Sequence, residues 1–188
     1  MAVEGVEVSE GLFAASFGQR NDAILGAWLG RGASPGRVRL IGDAKEERFR
    51  RLVAEEGIEA LPGAVEWMER LSREGWRQAI ASSAPRANVE AEVRALGVAR
   101  LLGALVAAED VSAGKPDPEV FLVSATRLGV VPARAVVVED AAAGIEAARR
   151  AGMRSVGAGA AGLEASDVVV ASLADLPADT FDRLVPPT

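Results

Sequence analysis

The 188-residue sequence contains no cysteine, no histidine and no tyrosine, and these absences exclude several kinds of chemistry. Without cysteine and histidine there is no thiolate nucleophile, no Ser-His-Asp triad, no disulfide and no ordinary zinc site. Any catalysis must therefore use carboxylates, lysine, arginine, hydroxyl and backbone groups, together with a bound metal ion. Oxygen ligands of this kind suit hard divalent cations, and Mg²⁺ is the expected metal.

Long apolar runs and an excess of positive charge are also absent. No apolar stretch approaches the roughly 20 residues needed to cross a bilayer, and the acidic first residues do not resemble a signal peptide. The net charge of −6 argues against electrostatic binding to nucleic acid or to an anionic membrane. A hydrophobic content of 49% is enough to bury a full core. We therefore expect a cytoplasmic globular protein with neither a nucleic-acid nor a membrane partner.

Residues 1–60 have helical periodicity and no convincing strand. Asp22 is placed to cap a first helix, and Ser34, followed by proline, begins a second helix that ends at Gly57. In the second helix, Lys45, Glu46, Arg48 and Arg50 fall mostly outside the apolar stripe. The pattern predicts a small helical domain over residues 1–60.

Residues 61–188 instead alternate between strand and helix patterns. The predicted strands are 76–81, 104–107, 135–139, 154–158 and 167–170, and the predicted helices are 64–73, 85–96, 118–128 and 142–151. Apolar strands in repeated strand-helix units predict a parallel sheet that is covered on both faces. With right-handed crossovers, this is a doubly wound α/β domain over residues 61–188.

Polar side chains directly follow three of the predicted strands. Ser82 and Ser83 follow the first, Lys115 lies in the loop after the second, and Glu139 and Asp140 end the third. Ligands of open α/β sheets bind at the carboxyl ends of the strands. Serines before a helix can simply cap it, and a loop lysine can simply be solvated. Two carboxylates at the end of a buried strand are costly unless they bind a cation, so the combination predicts a ligand site.

Three segments closely resemble motifs two, three and four of the haloacid dehalogenase superfamily. They are AIASSAPRANVE (79–90), GKPDPEVF (114–121) and VVVEDAAAGIEAARRAGM (136–153). The branch that they resemble most includes β-phosphoglucomutase and small sugar-phosphate phosphatases, and residues 9–60 look like its helical cap domain. The resemblance implies a haloacid dehalogenase-like, Rossmann-type core with a cap. It also implies Mg²⁺-dependent phosphoryl transfer on a small phosphorylated metabolite, with a sugar phosphate expected.

The resemblance assigns roles to particular residues. Ser82 and Lys115 are implied as catalytic groups that hold the phosphoryl group, with Ser83 and the following helix N-terminus assisting. Asp140 and Glu139 are implied as Mg²⁺ ligands, with Asp140 the more direct one. The implied substrate contacts in the cap are Arg20 and Asn21.

One motif of the superfamily has no counterpart in the sequence. The first motif, Asp-x-Asp, supplies the nucleophile, the acid/base and two metal contacts, but no two aspartates here have this spacing. The resemblance therefore implies a cap that is truncated at its N-terminus and a core that lacks its central first strand. That strand would lie between the strands ending at Ala81 and Glu139. We expect the chain to be a weak catalyst or none.

Three interpretations remain open. In the first, the chain is a phosphatase or phosphoglucomutase relative that has lost its N-terminus through a wrong start codon, a cloning boundary or an alternative isoform. In the second, the chain is a genuinely shortened relative that binds phosphate or metal without turnover. In the third, the chain is a non-functional fragment that is soluble only as a homodimer, in which a second copy covers the incomplete sheet.

Overall fold

The structure is a computed structural model that describes residues 9, 11, 16, 18–30, 33–159 and 162–186. The helices of eight or more residues are α1 (Asn21–Leu29), α2 (Pro35–Glu56), α3 (Ala64–Arg73), α4 (Arg86–Ala95), α5 (Glu119–Leu128) and α6 (Ala142–Arg150), and a shorter helix is α7 (Thr180–Leu184). The strands are β1 (Ala79–Ala81), β2 (Ala104–Val106), β3 (Val136–Glu139), β4 (Arg154–Ala158) and β5 (Val168–Val170). The described helices include none that is both long enough and apolar enough to span a bilayer.

The strand pairings of the described residues are all parallel, which confirms the predicted α/β class. Strand β1 pairs with β2, and β4 lies between β3 and β5. Among the described residues no pairing joins β1 to β3, so the strands form a two-stranded and a three-stranded sheet. In the described part of the chain, the division falls between Ala81 and Glu139; the absence of a central strand stays a prediction.

Helices cover both faces of the sheets. On one face, α5 and α6 pack against β2 and β3, and the buried residues of this layer include Val106, Phe121 and Ala148. On the other face, α3 and α7 pack against β4, where the Trp67 ring lies 5.2 Å from the ring of Phe181. Burial on both faces explains why the strands of this half are nearly continuous apolar runs.

The two N-terminal helices begin close to the predicted positions. The Ser34 hydroxyl accepts a hydrogen bond from the Arg37 N–H at 3.3 Å, which is the expected cap of α2. The predicted cap of α1 is wrong, because Arg20 precedes the helix and Asp22 lies in its first turn. Helix α2 packs against α1 and also against α4, so it connects the helical part of the chain to the α/β part.

The first predicted strand is too long by three residues. Trp76 belongs to the turn that closes α3, since its N–H donates to the Leu71 carbonyl at 2.9 Å. Its ring packs 5.8 Å from that of Phe181. The apolar character of Trp76 therefore reflects an aromatic cluster beside the sheet and not a place within β1.

Candidate functional site

A cavity of about 580 Å³ opens where the carboxyl ends of β1 and β3 approach α1, α2 and α4. Its lining includes two groups of polar side chains. The strand-end cluster consists of Ser82, Lys115, Glu139 and Asp140. The cap cluster consists of Asn21, Lys45, Glu46, Asn88 and Glu92.

Lys115 connects the two halves of the divided sheet. Its Nζ donates to the Ala81 carbonyl at 3.2 Å, at the end of β1, and to Glu139 Oε1, at the end of β3. The ammonium group also lies 4.9 Å from the centre of the Phe121 ring. Lys115 and Glu139 side chains are each only 7% exposed, so the buried carboxylate is compensated by the lysine. The burial of Glu139 therefore does not require a metal ion.

Gly144 makes room for this ion pair. It lies in the first turn of α6, and a Cβ atom built there would overlap the carboxyl group of Glu139. The helix can approach the end of β3 this closely only because residue 144 has no side chain. The glycine in the sequence AAAGIEAARR is thus explained by the position of a carboxylate five residues earlier.

Asp140 and Ser82 face the same region of the cavity. Asp140 is exposed, and its backbone N–H donates to Glu139 Oε2 at 3.3 Å. The Ser82 hydroxyl accepts from the Ala84 N–H at 3.1 Å, so it does not cap α4 itself. The structure therefore brings together the serine, the lysine and the two carboxylates that the sequence placed at three strand ends.

The other implied phosphate contacts have protein partners. The Ser83 hydroxyl donates to the Gly18 carbonyl at 2.8 Å, which ties the start of the described helical part to the α/β part. At the N-terminus of α4, the Arg86 N–H donates to the Glu109 carboxylate at 2.9 Å. A negative charge of the protein thus already occupies this helix terminus.

The two implied substrate contacts of the cap point to different places. The Arg20 Nη1 donates to the carbonyls of Ala108 and Val111, at 3.1 and 3.2 Å, and so holds the loop after β2. Asn21 lines the cavity as part of the cap cluster. Their roles in substrate binding stay predictions, and the geometry favours Asn21.

Glu46 is buried, although it falls mostly outside the apolar stripe of α2. The residue is 7% exposed, and its carboxylate accepts hydrogen bonds from Asn21, Lys45 and Asn88, which compensate for its burial. Burial acts to raise the pKa of Glu46, but the hydrogen bonds from Lys45 and Asn21 outweigh it and hold the pKa below its ordinary value. The helical pattern of α2 could not reveal this, since Asn88 comes from α4.

The rest of the cap cluster extends this network. Lys45 Nζ donates to Asn21 Oδ1 at 2.9 Å, and the Arg50 guanidinium donates to Asn88 Oδ1 at 2.8 Å. Burial raises the pKa of Glu92, and the nearby negative charge of Glu46 adds to the effect. Two carboxyl groups and one lysine therefore line this end of the cavity.

Sequence reasoning missed Lys45, although one signal was available. The chain has only two lysines, at positions 45 and 115, while all its other basic residues are arginines. Both lysines line this cavity. A lysine differs from arginine in being a compact cation with a flexible stem.

The cavity has an excess of negative charge. Its lining carries Lys45 and Lys115 against four acidic side chains, which are Glu46, Glu92, Glu139 and Asp140. Within the described part of the chain, no group of three or more carboxylates could hold a metal ion by itself. Asp140 and Glu139 fit the oxygen-donor preference of Mg²⁺, which is commonly held by one or two carboxylates plus water and phosphate oxygens.

Comparison with known sequences connects this geometry to a family. A family model for haloacid dehalogenase-like hydrolases matches residues 11–152. Validoxylamine A 7'-phosphate phosphatase from Streptomyces hygroscopicus subsp. limoneus is 34% identical over 147 residues, which are 73% of this chain and 69% of the relative. Protein CbbY from Rhodobacter capsulatus is 34% identical over 131 residues, 68% of this chain and 58% of the relative.

Solved structures with a similar fold include members of the same family. β-Phosphoglucomutase from Clostridium difficile superimposes with a TM-score of 0.86 at 24% identity, covering 96% of this chain and 83% of that one, which supports the fold. CbbY from Rhodobacter sphaeroides in complex with phosphate has a TM-score of 0.79 at 28% identity, covering 90% and 80%. The likeness extends over both the helical part and the α/β part of the chain.

Proposed function

The chain belongs to the haloacid dehalogenase-like hydrolases, and from this premise we propose that its cavity binds the phosphoryl group of a small sugar phosphate together with Mg²⁺. The corresponding activity of the family is phosphatase or phosphoglucomutase-type transfer. The names of the similar phosphatase from Streptomyces and of β-phosphoglucomutase support a phosphorylated carbohydrate-like substrate. No single relative identifies which one.

The observation that carries the proposal is the position of Lys115. It joins the carboxyl ends of β1 and β3, and it lies beside Ser82 and Asp140 in one cavity. In this arrangement, Lys115 supplies positive charge to the phosphoryl oxygens and Ser82 supplies a hydroxyl donor. Ser83 assists at the edge of the site, where its hydroxyl also donates to the carbonyl of Gly18, just before α1.

The proposed metal ligands are Asp140 and Glu139. Asp140 is the direct ligand because it is exposed to the cavity, whereas Glu139 is already paired with Lys115. Haloacid dehalogenase-like hydrolases generally use Mg²⁺, and the ion would supply the charge that neutralises a bound phosphoryl group. The acidic excess of the lining supports this, since the residues alone would repel an anion.

Binding tests this proposal directly. Inorganic phosphate is titrated into the full chain by isothermal titration calorimetry with and without Mg²⁺. We expect binding to need Mg²⁺ and Asp140→Asn to weaken it by about tenfold or more. The matched control is Asp43→Asn, an exposed carboxylate on α2. Equal phosphate affinity with and without Mg²⁺, unchanged by Asp140→Asn, would overturn the metal assignment.

We further propose that the chain turns over phosphate esters weakly or not at all. In-line transfer needs a positioned nucleophile near the metal, and no two aspartates in the sequence have the Asp-x-Asp spacing that supplies it in the family. Hydrolysis of p-nitrophenyl phosphate with Mg²⁺ should stay near background. Turnover comparable to that of an intact family member, lost on Asp140→Ala, would contradict this.

A second candidate is a fragment without catalytic function that is soluble only as a homodimer, in which a second copy covers the incomplete sheet. The divided sheet favours it, because β1 and β3 each have an edge without a strand partner among the described residues. Sedimentation equilibrium over a range of concentrations tests it. A monomer at all concentrations would exclude the homodimer.

A further inference from the structure

The loop between β2 and α5 carries Lys115 and therefore determines where its ammonium group lies. The loop comprises residues 107–118. Its later part is held by Glu119 of α5, whose carboxylate accepts hydrogen bonds from the N–H groups of Ser112 and Ala113 at 2.7 and 2.9 Å. One side chain of the α/β part thus orders the backbone just before Lys115.

Arg20 holds the same loop from the helical part of the chain. Its Nη1 donates to the carbonyls of Ala108 and Val111, which are 88 and 91 residues away in the sequence. A charged donor forms stronger hydrogen bonds than a neutral one, and the Arg20 side chain is only 29% exposed. Its Nε lies 3.7 Å from the carboxylate of Asp22, but that side chain is exposed, so solvent screens this ion pair.

Gly114 allows the stem of Arg20 to lie against the loop. A Cβ atom built at residue 114 would lie 2.7 Å from both Cγ and Cδ of Arg20. The φ angle of Gly114 is not positive, so the backbone itself would accept an alanine there. Arg20 therefore contacts the loop at residues 108, 111 and 114, and the last of these directly precedes Lys115.

The position of Lys115 depends on the loop because its two partners belong to different sheets. The ammonium group reaches the Ala81 carbonyl at the end of β1 and the Glu139 carboxylate at the end of β3. Hydrogen bonds of this kind extend over only about 2.7–3.2 Å. A small displacement of the loop would therefore move the ammonium group away from the strand ends.

We propose that Arg20 is a positioning residue for Lys115. It holds the loop in place, and so fixes the ammonium group that binds the phosphoryl oxygens, without touching the ligand itself. This inference rests on the proposed function, because it presumes that Lys115 binds phosphate. It gives Arg20 a different role from the substrate contact that the resemblance implies, and it connects the helical part of the chain to the phosphate site.

The first measurement is the affinity for inorganic phosphate, by isothermal titration calorimetry on the full chain with Mg²⁺. Arg20→Ala should weaken binding by about tenfold, because Lys115 loses the support of its loop. Inorganic phosphate is the informative ligand, since a residue that contacts only the remainder of a phosphate ester would not affect it. The matched control is Arg77→Ala, which should leave the affinity unchanged. Arg77 also donates to two backbone carbonyls, those of Leu128 and Gly129, but it lies before the amino end of β1.

The second measurement observes Lys115 itself, without phosphate. Because the chain has lysines only at positions 45 and 115, incorporation of ¹³C-lysine gives two sets of side-chain NMR signals, and Lys45→Arg identifies them. The Phe121 ring lies 4.9 Å from the Lys115 ammonium group, so its ring current makes the Cε signal sensitive to displacement. Arg20→Ala should move the Lys115 signal more than the Lys45 signal. A loss of stability alone changes the folded fraction and leaves the native signals in place.

Gly114→Ala tests the same contact from the side of the loop and keeps the arginine. The added methyl group should displace the Arg20 stem, move the Lys115 signal and weaken phosphate binding by about tenfold. In the Arg20→Ala background the same substitution should change the affinity by less than about twofold, because the side chain that it displaces is already gone. If Arg20→Ala does not fold, Gly114→Ala alone decides the outcome.

The outcomes separate this inference from its premise. If inorganic phosphate does not bind to the wild-type chain with Mg²⁺, the proposed function fails and the inference fails with it. If phosphate binds, but Arg20→Ala or Gly114→Ala leaves both the affinity and the Lys115 signal unchanged, only the inference is overturned. A weaker affinity with the Lys115 signal in place would indicate direct contact between Arg20 and the ligand, and would overturn it as well. So would an equal cost of Gly114→Ala with and without Arg20.

Discussion

The two ends of the cavity are each built around a lysine–glutamate pair, but the pairs are held in different ways. At the strand end, Lys115 and Glu139 are both 7% exposed, and the lysine is anchored to the backbone carbonyl of Ala81. At the cap end, the side chain of Lys45 is 37% exposed and that of Glu46 is 9% exposed. Side-chain amides rather than backbone hold the cap pair.

This difference shows where each pair gets its stability. The partner of Glu139 is one buried lysine, so the loss of that lysine leaves a buried charge without compensation. Glu46 has several hydrogen-bond donors, so the loss of any one of them leaves the others in place. We therefore expect the strand-end pair to be more sensitive to substitution than the cap pair.

The largest effect is expected for Lys115→Met. It should lower the free energy of unfolding by about 3 kcal/mol, because it leaves Glu139 buried and unpaired. Lys45→Met is the matched comparison and should cost about 1 kcal/mol, since its side chain is partly exposed. Urea unfolding followed by circular dichroism measures both. Equal losses would show that the two pairs are not held differently.

The next effect tests the space around the strand-end pair. Gly144→Ala should lower the free energy of unfolding by about 2 kcal/mol, because the added methyl group overlaps the carboxyl group of Glu139. Gly26→Ala in α1 is the control, since nothing lies within 4 Å of a Cβ there. That substitution should be neutral or stabilise by up to about 1 kcal/mol. A neutral Gly144→Ala would contradict the close approach of α6.

A smaller effect is expected in the cap cluster. Asn88→Ala should cost about 1.5 kcal/mol, because Asn88 is 3% exposed and contacts both Glu46 and Arg50. The control is Thr126→Ala, which removes an exposed hydrogen bond to the Leu122 carbonyl and should cost less than about 0.5 kcal/mol. A cost for Asn88→Ala above that of Lys115→Met would reverse the comparison between the two ends.

The smallest effect concerns the pH dependence of the cap end. Burial and the charge of Glu46 raise the pKa of Glu92, so the folded state binds this proton more tightly than the unfolded state does. The stabilising contribution of this proton is complete below the unfolded pKa and is lost as pH rises through the folded pKa. Glu92→Gln should therefore raise the melting temperature at pH 7 but have little effect near pH 4. An equal shift at both pH values would exclude the titration of Glu92 as the cause.

Much of the fold could be predicted from local patterns. The bounds of α3 and β4 agree with the predictions 64–73 and 154–158, because amphipathic periodicity and apolar strands are local properties. The predicted strand 76–81 was too long, since the position of Trp76 depends on the distant ring of Phe181. Local hydrophobicity cannot distinguish a residue within a strand from one that packs beside the sheet.

The candidate site was predictable at one end of the cavity and not at the other. Ser82, Lys115, Glu139 and Asp140 follow strands, and parallel strands bring their carboxyl ends to one edge. No such rule predicts the cap cluster. On the pattern of α2 alone, Glu46 lies mostly outside the apolar stripe. Its burial depends on Asn88, which is 42 residues away in the sequence.

Several features of this protein can be read directly from the sequence, since each depends only on residue type or on short spacing. They are the absence of cysteine and histidine, the alternation of strands and helices, and the polar residues at strand ends. The sequence therefore predicted the α/β fold and excluded chemistry that needs cysteine or histidine. Charge compensation is different, because it depends on which groups lie within a few ångströms after packing. Only the folded chain shows that Lys115 neutralises Glu139, that Asn88 helps to bury Glu46, and that both lysines line one cavity.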